Sequence, residues 1–259
     1  MDQITIFLSD WQVLFREGIH FTLSGEEDLV VTGETTSNRD ALDFITGNPP
    51  RIAIVNINHS DYSGLSLTRS ISRDLPGVSV ILIMETEDEA QLYSALKYGA
   101  TACITKEIDP EELISIVRRV AGGSEPISSS ILRPEIAARI RKDFESYAEL
   151  NKEIDNLLAN LTGQERDILN RIAEGDTVDE ITPILGSTGT TVAESLEIIR
   201  GKLVANEHSR DVVEAAQKGL SSIINRTRRD RKSEDYISRE EFESFRESLI
   251  EHFKLFTEK

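Results

Sequence analysis

Short runs of Val, Ile and Leu alternate with longer amphipathic stretches over the first half of the chain. ITIFLS (4–9), LVVTGE (29–34), IAIVNI (52–57), VSVILIM (78–84) and ACIT (102–105) predict five strands. After them VLFREGIHFTLS (13–24), SNRDALDFIT (37–46), GLSLTRSISR (64–73), EDEAQLYSALKYG (87–99) and PEELISIVRRVAGG (110–123) predict five helices. Strict alternation predicts an α/β fold, a doubly wound parallel five-stranded sheet with helices on both faces. The Val/Ile-rich strands suit a sheet covered on both sides. A site in such a sheet forms beyond the carboxyl ends of the central strands, which directs attention to Ser9 and Asp10, Asn56, Met84 and Lys106.

The pattern then turns helical. Residues 134–161 predict one long helix whose apolar positions Ile136, Ile140, Phe144, Tyr147, Leu150, Ile154, Leu157 and Leu161 recur every three or four residues. A helix packed on its own domains carries the same stripe; the charges flanking it favour a coiled-coil seam with a second copy, and a homodimer is expected. Residues 161–216 continue as short helices. Beyond them NRTRRDRK (225–232) reads as a solvated connector, and Ser238 with Glu241 as a capping box opening a helix with Phe242, Phe245, Leu249, Phe253 and Phe256 on one face. Such a stripe needs burial against the chain or a partner.

The 259-residue length suits two domains. A net charge of −17 argues against general affinity for nucleic acid or anionic membrane. The balance is −11 over 1–125, −1 over 126–160, −6 over 161–216 and +1 over 217–259. Cys103, the single cysteine, forms no internal disulfide and reads as a buried thiol. His20, His59, His208 and His252 are too scattered for metal-ligand spacing, and no cofactor is expected. With no long apolar run and no leader-like start, a soluble cytoplasmic protein with no membrane partner is expected.

The strand-end residues, with FLSDWQVLFREGI, the loop closed by Gly64-Leu65, YGATACITK and PEELISIVRRVAGG, resemble the receiver domain of bacterial response regulators, specifically the NarL/FixJ subfamily. The resemblance implies a flavodoxin-like receiver domain over 1–125, a helical linker over 126–160, and a LuxR-type helix-turn-helix domain over 161–216, suggested by LTGQERDIL, a second helix at Ile181–Leu185, the STGTTV run and RGKL. Residues 217–259 form a helical tail beyond it. In that family an acidic pair and a phosphate-accepting aspartate hold Mg²⁺, while a hydroxyl and a lysine attend the phosphoryl group. Asp10 and Lys106 match. Ser9 replaces one acid, Asn56 the phosphoacceptor, Met84 the hydroxyl, and Cys103 stands where an aromatic switch residue is often found.

An amide is no nucleophile toward phosphate, and one carboxylate is too little for Mg²⁺. Asp10, Asn56 and Lys106 are therefore expected to form a polar cluster, with Lys106 paired to Asp10. In the helix-turn-helix-like segment, Ala193, Glu194, Ser195 and Glu197 occupy positions where base-reading residues are expected, and Asp179 and Glu180 add negative charge. Candidate DNA contacts are Thr191, Arg200, Lys202, Arg228 and Arg229. Pro183 predicts a kink or a shifted start in the second helix. The favoured function is a non-enzymatic, phosphorylation-independent, dimeric protein-interaction module in signalling or transcription control, with weak or no DNA binding. The alternatives are a constitutive DNA-binding transcription factor and a small-ligand sensor at the receiver pocket.

Overall fold

The five apolar runs form β1 (Ile4–Ser9), β2 (Leu29–Thr35), β3 (Ile52–Asn56), β4 (Ser79–Met84) and β5 (Ala102–Thr105), all parallel, in the order β2-β1-β3-β4-β5. β3 is central and buried along its whole length, which is why it tolerates no polar residue before Asn56. The crossovers are α1 (Val13–Ser24), α2 (Asn38–Gly47), α3 (Gly64–Asp74), α4 (Glu89–Lys97) and α5 (Pro110–Ala121). Ser37, Asp88 and Asp109 cap α2, α4 and α5 by accepting backbone N–H groups of the first turn, and Pro110 sits where no N–H is needed. The expected α/β class and its five strands and five helices are thus present. One core face gathers Ile6, Leu8, Ile54, Ile81 and Ile83 under Leu23 and Val117.

This computed structural model describes residues 3–58, 62–151, 158–186 and 188–229, with 211–229 as backbone only. The chain divides into two units, Met1–Arg210 and Asp211–Lys259. After the sheet come a 3₁₀ segment (Pro126–Leu132), α6 (Pro134–Asn151), α7 (Gly163–Glu174), α8 (Val178–Ile184) and α9 (Gly189–Arg229). Thr162 with Glu165 and Thr177 with Glu180 form capping boxes that start α7 and α8. No described helix is long and apolar enough to cross a membrane.

Three helical expectations are corrected. The helix beginning at Pro134 is described as Pro134–Asn151, and residues 158–162 are not helical; the Asn151 side chain donates to the Leu158 carbonyl and accepts its N–H, both at 2.8 Å. Ile136, Ile140, Phe144 and Tyr147 do not form an open seam. They are buried inside a single chain, where α6 lies against α7, α4 and the 3₁₀ segment. Ile154 and Leu157 lie outside the described residues. The third correction concerns the last helices. α8 starts at Val178, where the Thr177–Glu180 box nucleates it ahead of the expected start, and it carries Pro183 in its last turn. α9 does not end at RGKL but continues to Arg229, taking in the first part of the basic run. The Phe242–Phe256 stripe lies outside the described residues.

Because Ile140 is fully buried within one chain, Ile140→Ala is expected to lower unfolding free energy by about 2–5 kcal/mol. Urea denaturation at two protein concentrations checks this. The loss should be the same at both, whereas an intermolecular seam would make it concentration-dependent.

Candidate functional site

The strand order reverses between β1 and β3, and Ser9 pairs with Val55 across that switch point. Asp10 and Asn56 therefore emerge side by side. Both are buried. The Asn56 amide nitrogen donates to Asp10 Oδ2 at 2.8 Å, and the backbone N–H of Gln12 donates to Asp10 Oδ1 at 2.7 Å. Each carboxylate oxygen thus has a protein donor. The other end of the Asn56 amide accepts the Asn58 N–H at 2.9 Å. Ser9 Oγ donates to Asn38 Oδ1 at 2.7 Å, and Asn38 Nδ2 donates to the carbonyls of Asn56 (3.2 Å) and Tyr62 (2.9 Å). Gly64 holds the loop after β3 against this network, since a Cβ there would lie 2.3 Å from the Asn56 carbonyl oxygen.

Lys106 turns away from Asp10, which corrects the expected pairing. Its ammonium donates to Gln12 Oε1 at 2.6 Å and to Glu85, and it lies over the rings of Trp11 (5.7 Å) and Phe15 (5.6 Å). With Asp10 already satisfied by two donors, the cation is better placed among the more exposed Glu85 carboxylate and the ring faces. Arg16 instead anchors Asp10 through its backbone, donating to the carbonyl at 3.1 Å. Met84 is buried and, with Cys103, lines a cavity of about 220 Å³ walled by the 3₁₀ segment. Burial, aided by Glu87, pushes the Cys103 thiol up to about 12, so it is unreactive at neutral pH.

The second cluster joins α9 to the sheet. The buried Arg200 donates from Nη2 to the carbonyls of Ala100 (2.8 Å) and Gly99 (3.3 Å) and pairs through Nη1 with Glu125 at 2.5 Å. Gly99 has φ +92°, and a Cβ there would lie 2.1 Å from Ser72 Oγ, so this turn needs glycine. Lys202 pairs with the buried Glu165 at 2.7 Å. Buried Glu207 reaches Lys97 at 3.3 Å and Arg69 at 3.5 Å, and Lys97 also pairs with Asp143 of α6 at 2.6 Å. Thr191 lies in the first turn of α9, its N–H donating to Thr188 Oγ1 at 3.2 Å. Arg228 and Arg229 fall in α9 where only backbone is described. The outward face of α9 carries Ala193, Glu194, Glu197 and Ile198, while Ser195 is buried.

Residues 6–118 match the family described as the response regulator receiver domain. Curated proteins similar over most of the chain include the transcriptional regulatory protein YxjL of Bacillus subtilis, 25% identical over 85% of this chain and 98% of its own. The response regulator VraR of Staphylococcus epidermidis is 28% identical over 83% and 97%. The transcriptional regulatory protein DegU of Brevibacillus brevis is 27% identical over 86% and 97%. Among solved structures, the receiver domain of a response regulator NarL from Mycobacterium tuberculosis has a TM-score of 0.46 and 27% identity, covering 48% of this chain and 99% of that one. RcsB of Salmonella typhimurium has a TM-score of 0.47 and 18% identity, covering 78% and 93%. Residues 6–118 are similar to the response regulator receiver domain and have its five-stranded parallel fold.

The donor set at these strand ends does not fit Mg²⁺. Ser9 and Asn56 are uncharged, both Asp10 oxygens already accept protein hydrogen bonds, and no described cluster of three or more His, Cys, Asp or Glu could hold a metal. Sequence reasoning brought Ser9, Asp10 and Asn56 together but missed Asn38, which bonds to Ser9 and to the Asn56 and Tyr62 carbonyls. Its only signal was position, immediately after the second strand. It also missed Glu207, Lys97 and Asp143, whose meeting depends on tertiary packing.

Two expectations follow. Asn56→Asp replaces a donor to Asp10 with a second carboxylate and should cost about 1–3 kcal/mol at neutral pH. Repulsion raises one carboxyl pKa, so the deficit against the parent protein should grow as pH rises through that value and shrink in acid; urea melts across pH measure it. His208 is held below its ordinary value of 6.5 by burial first and then by Arg73 and Arg69, with Asp74 opposing. Its depressed folded value makes the unfolded chain the better proton acceptor, so stability should fall as pH drops from about 6.5 through the lowered value. His208→Gln should flatten that part of the profile.

Proposed function

We propose that this chain is a phosphorylation-independent response regulator that works in signalling or transcription control through protein contacts, with weak or no DNA binding of its own. The observation carrying this reading is the Asn56 amide donating to Asp10 at 2.8 Å. The position that would have to attack a phosphoryl donor holds a nitrogen whose lone pair is delocalised into the amide and whose N–H is committed to a neighbour. Phosphate would also lack the metal that usually offsets its charge. Met84 supplies no hydroxyl to sense its arrival.

The α7–α9 region supports the second part. We read it as a LuxR-type helix-turn-helix domain, on the motif spacing and on relatives named transcriptional regulatory proteins. Arg200 and Lys202, two candidate DNA contacts, are engaged by Glu125 and Glu165. The face that α9 presents outward holds Glu194 and Glu197. Counterion release from phosphates, which dominates DNA affinity, needs the opposite charge. The expected homodimer uses a surface other than the α6 stripe, which is buried within one chain.

In acetyl phosphate with Mg²⁺, intact-mass spectrometry should find the full-length protein unmodified, and fluorescence anisotropy against mixed genomic fragments at low salt should rise no further than with an acidic control protein. A phosphorylated species would overturn the first half of the reading. Salt-sensitive DNA binding lost in the Arg228→Ala, Arg229→Ala double variant would overturn the second and favour a constitutive DNA-binding regulator.

A further inference from the structure

At the end of the sheet opposite the Asp10–Asn56 network, a cavity of about 370 Å³ opens between the receiver domain and α9. Its volume falls within the range of small-molecule sites. Pro76, Val78, Val120 and Val204 give it an apolar body, and Ser72, Ser79, Thr101 and Ser124 supply hydroxyls. Two α9 residues on its wall have buried nitrogens without a hydrogen-bond partner: Arg200 Nε and His208 Nε2. Arg200 is 6% exposed, and its two Nη atoms are already engaged by Gly99, Ala100 and Glu125. A buried guanidinium N–H left unpaired costs free energy unless an acceptor reaches it.

We propose that this cavity binds a small organic carboxylate with an apolar body, one oxygen accepting from Arg200 Nε and the other from His208 in the tautomer that protonates Nε2. The hydroxyls complete the oxygen shell, and the valines hold the body. Glu125 restricts the site to a single negative charge, since a dianion would meet it. Burial first, then Arg73 and Arg69, disfavour protonation of His208, with Asp74 opposing. Because the walls come from the receiver domain and from α9 together, a bound carboxylate stabilises their contact by mass action. The site is separate from the phosphoacceptor region, and the proposal stands or falls independently of phosphorylation.

The test is a thermal-shift titration of the full-length protein with lactate, benzoate, 4-hydroxybenzoate and citrate, compared with Val204→Phe, which fills the cavity, and Ser124→Ala. At least one monocarboxylate should raise the melting temperature saturably, by roughly 5 °C at a hundredfold excess over its Kd. Citrate should not. Val204→Phe should melt no lower than the unliganded parent and lose the shift, and Ser124→Ala should weaken it. No shift from any monocarboxylate at millimolar concentration would overturn the proposal and leave the two nitrogens to water. A shift retained in Val204→Phe would overturn it equally, because binding would then lie elsewhere.

Discussion

A carboxylate buried at the carboxyl edge of a parallel sheet must have its charge met. Around Asp10 the chain meets it with neutral donors: the Asn56 amide and the Gln12 backbone N–H. Everything else at this edge follows. Asn38, at the start of α2, and Ser9 complete a neutral network between the ends of β1 and β3, and Lys106, not paired with Asp10, settles on Gln12, Glu85 and two aromatic rings. An acidic phosphoacceptor site stores carboxylate repulsion that a metal ion relieves. This one stores none.

The far end of the same domain uses charge differently. Arg200, Glu207, Lys97 and Asp143 are partly or fully buried in ion pairs that connect α9 and α6 to α4 and to the turn before the 3₁₀ segment. Pairs of this kind add little net stability but penalise arrangements that strand one partner. They make the docked position of α9 specific, and they hold Arg200, which reads from the sequence as a candidate phosphate contact, against Glu125. The 3₁₀ segment and α6 cover the receiver face beside β5, where Arg133 pairs with Glu87 and Tyr93 donates to Asp143 at 2.5 Å.

Much of this was legible in the sequence. Val/Ile-rich runs at strand length and amphipathic runs between them left little choice of fold, and the strand ends marked Asp10 and Asn56 as neighbours before any geometry. What stayed hidden depended on which of two physically equal partners won. The stripe from Ile136 to Tyr147 has the spacing of a coiled coil and of an intrachain packing face alike, and only the nearness of α4 and α7 decides. Lys106 had an anion within reach either way. Arg200 looked like a phosphate contact because nothing in RGKL reveals that two backbone carbonyls and Glu125 await it.

The most direct test of the central claim is the side-chain amide of Asn56 observed by ¹⁵N NMR while Mg²⁺ and beryllofluoride are added. The account predicts two well-separated amide proton signals, slow to exchange with solvent because one is held by buried Asp10, and unmoved by either addition. Signals that shift or exchange faster on adding Mg²⁺ would show that Asp10 prefers the metal to the amide, and the neutral network would not be the resting chemistry of this site.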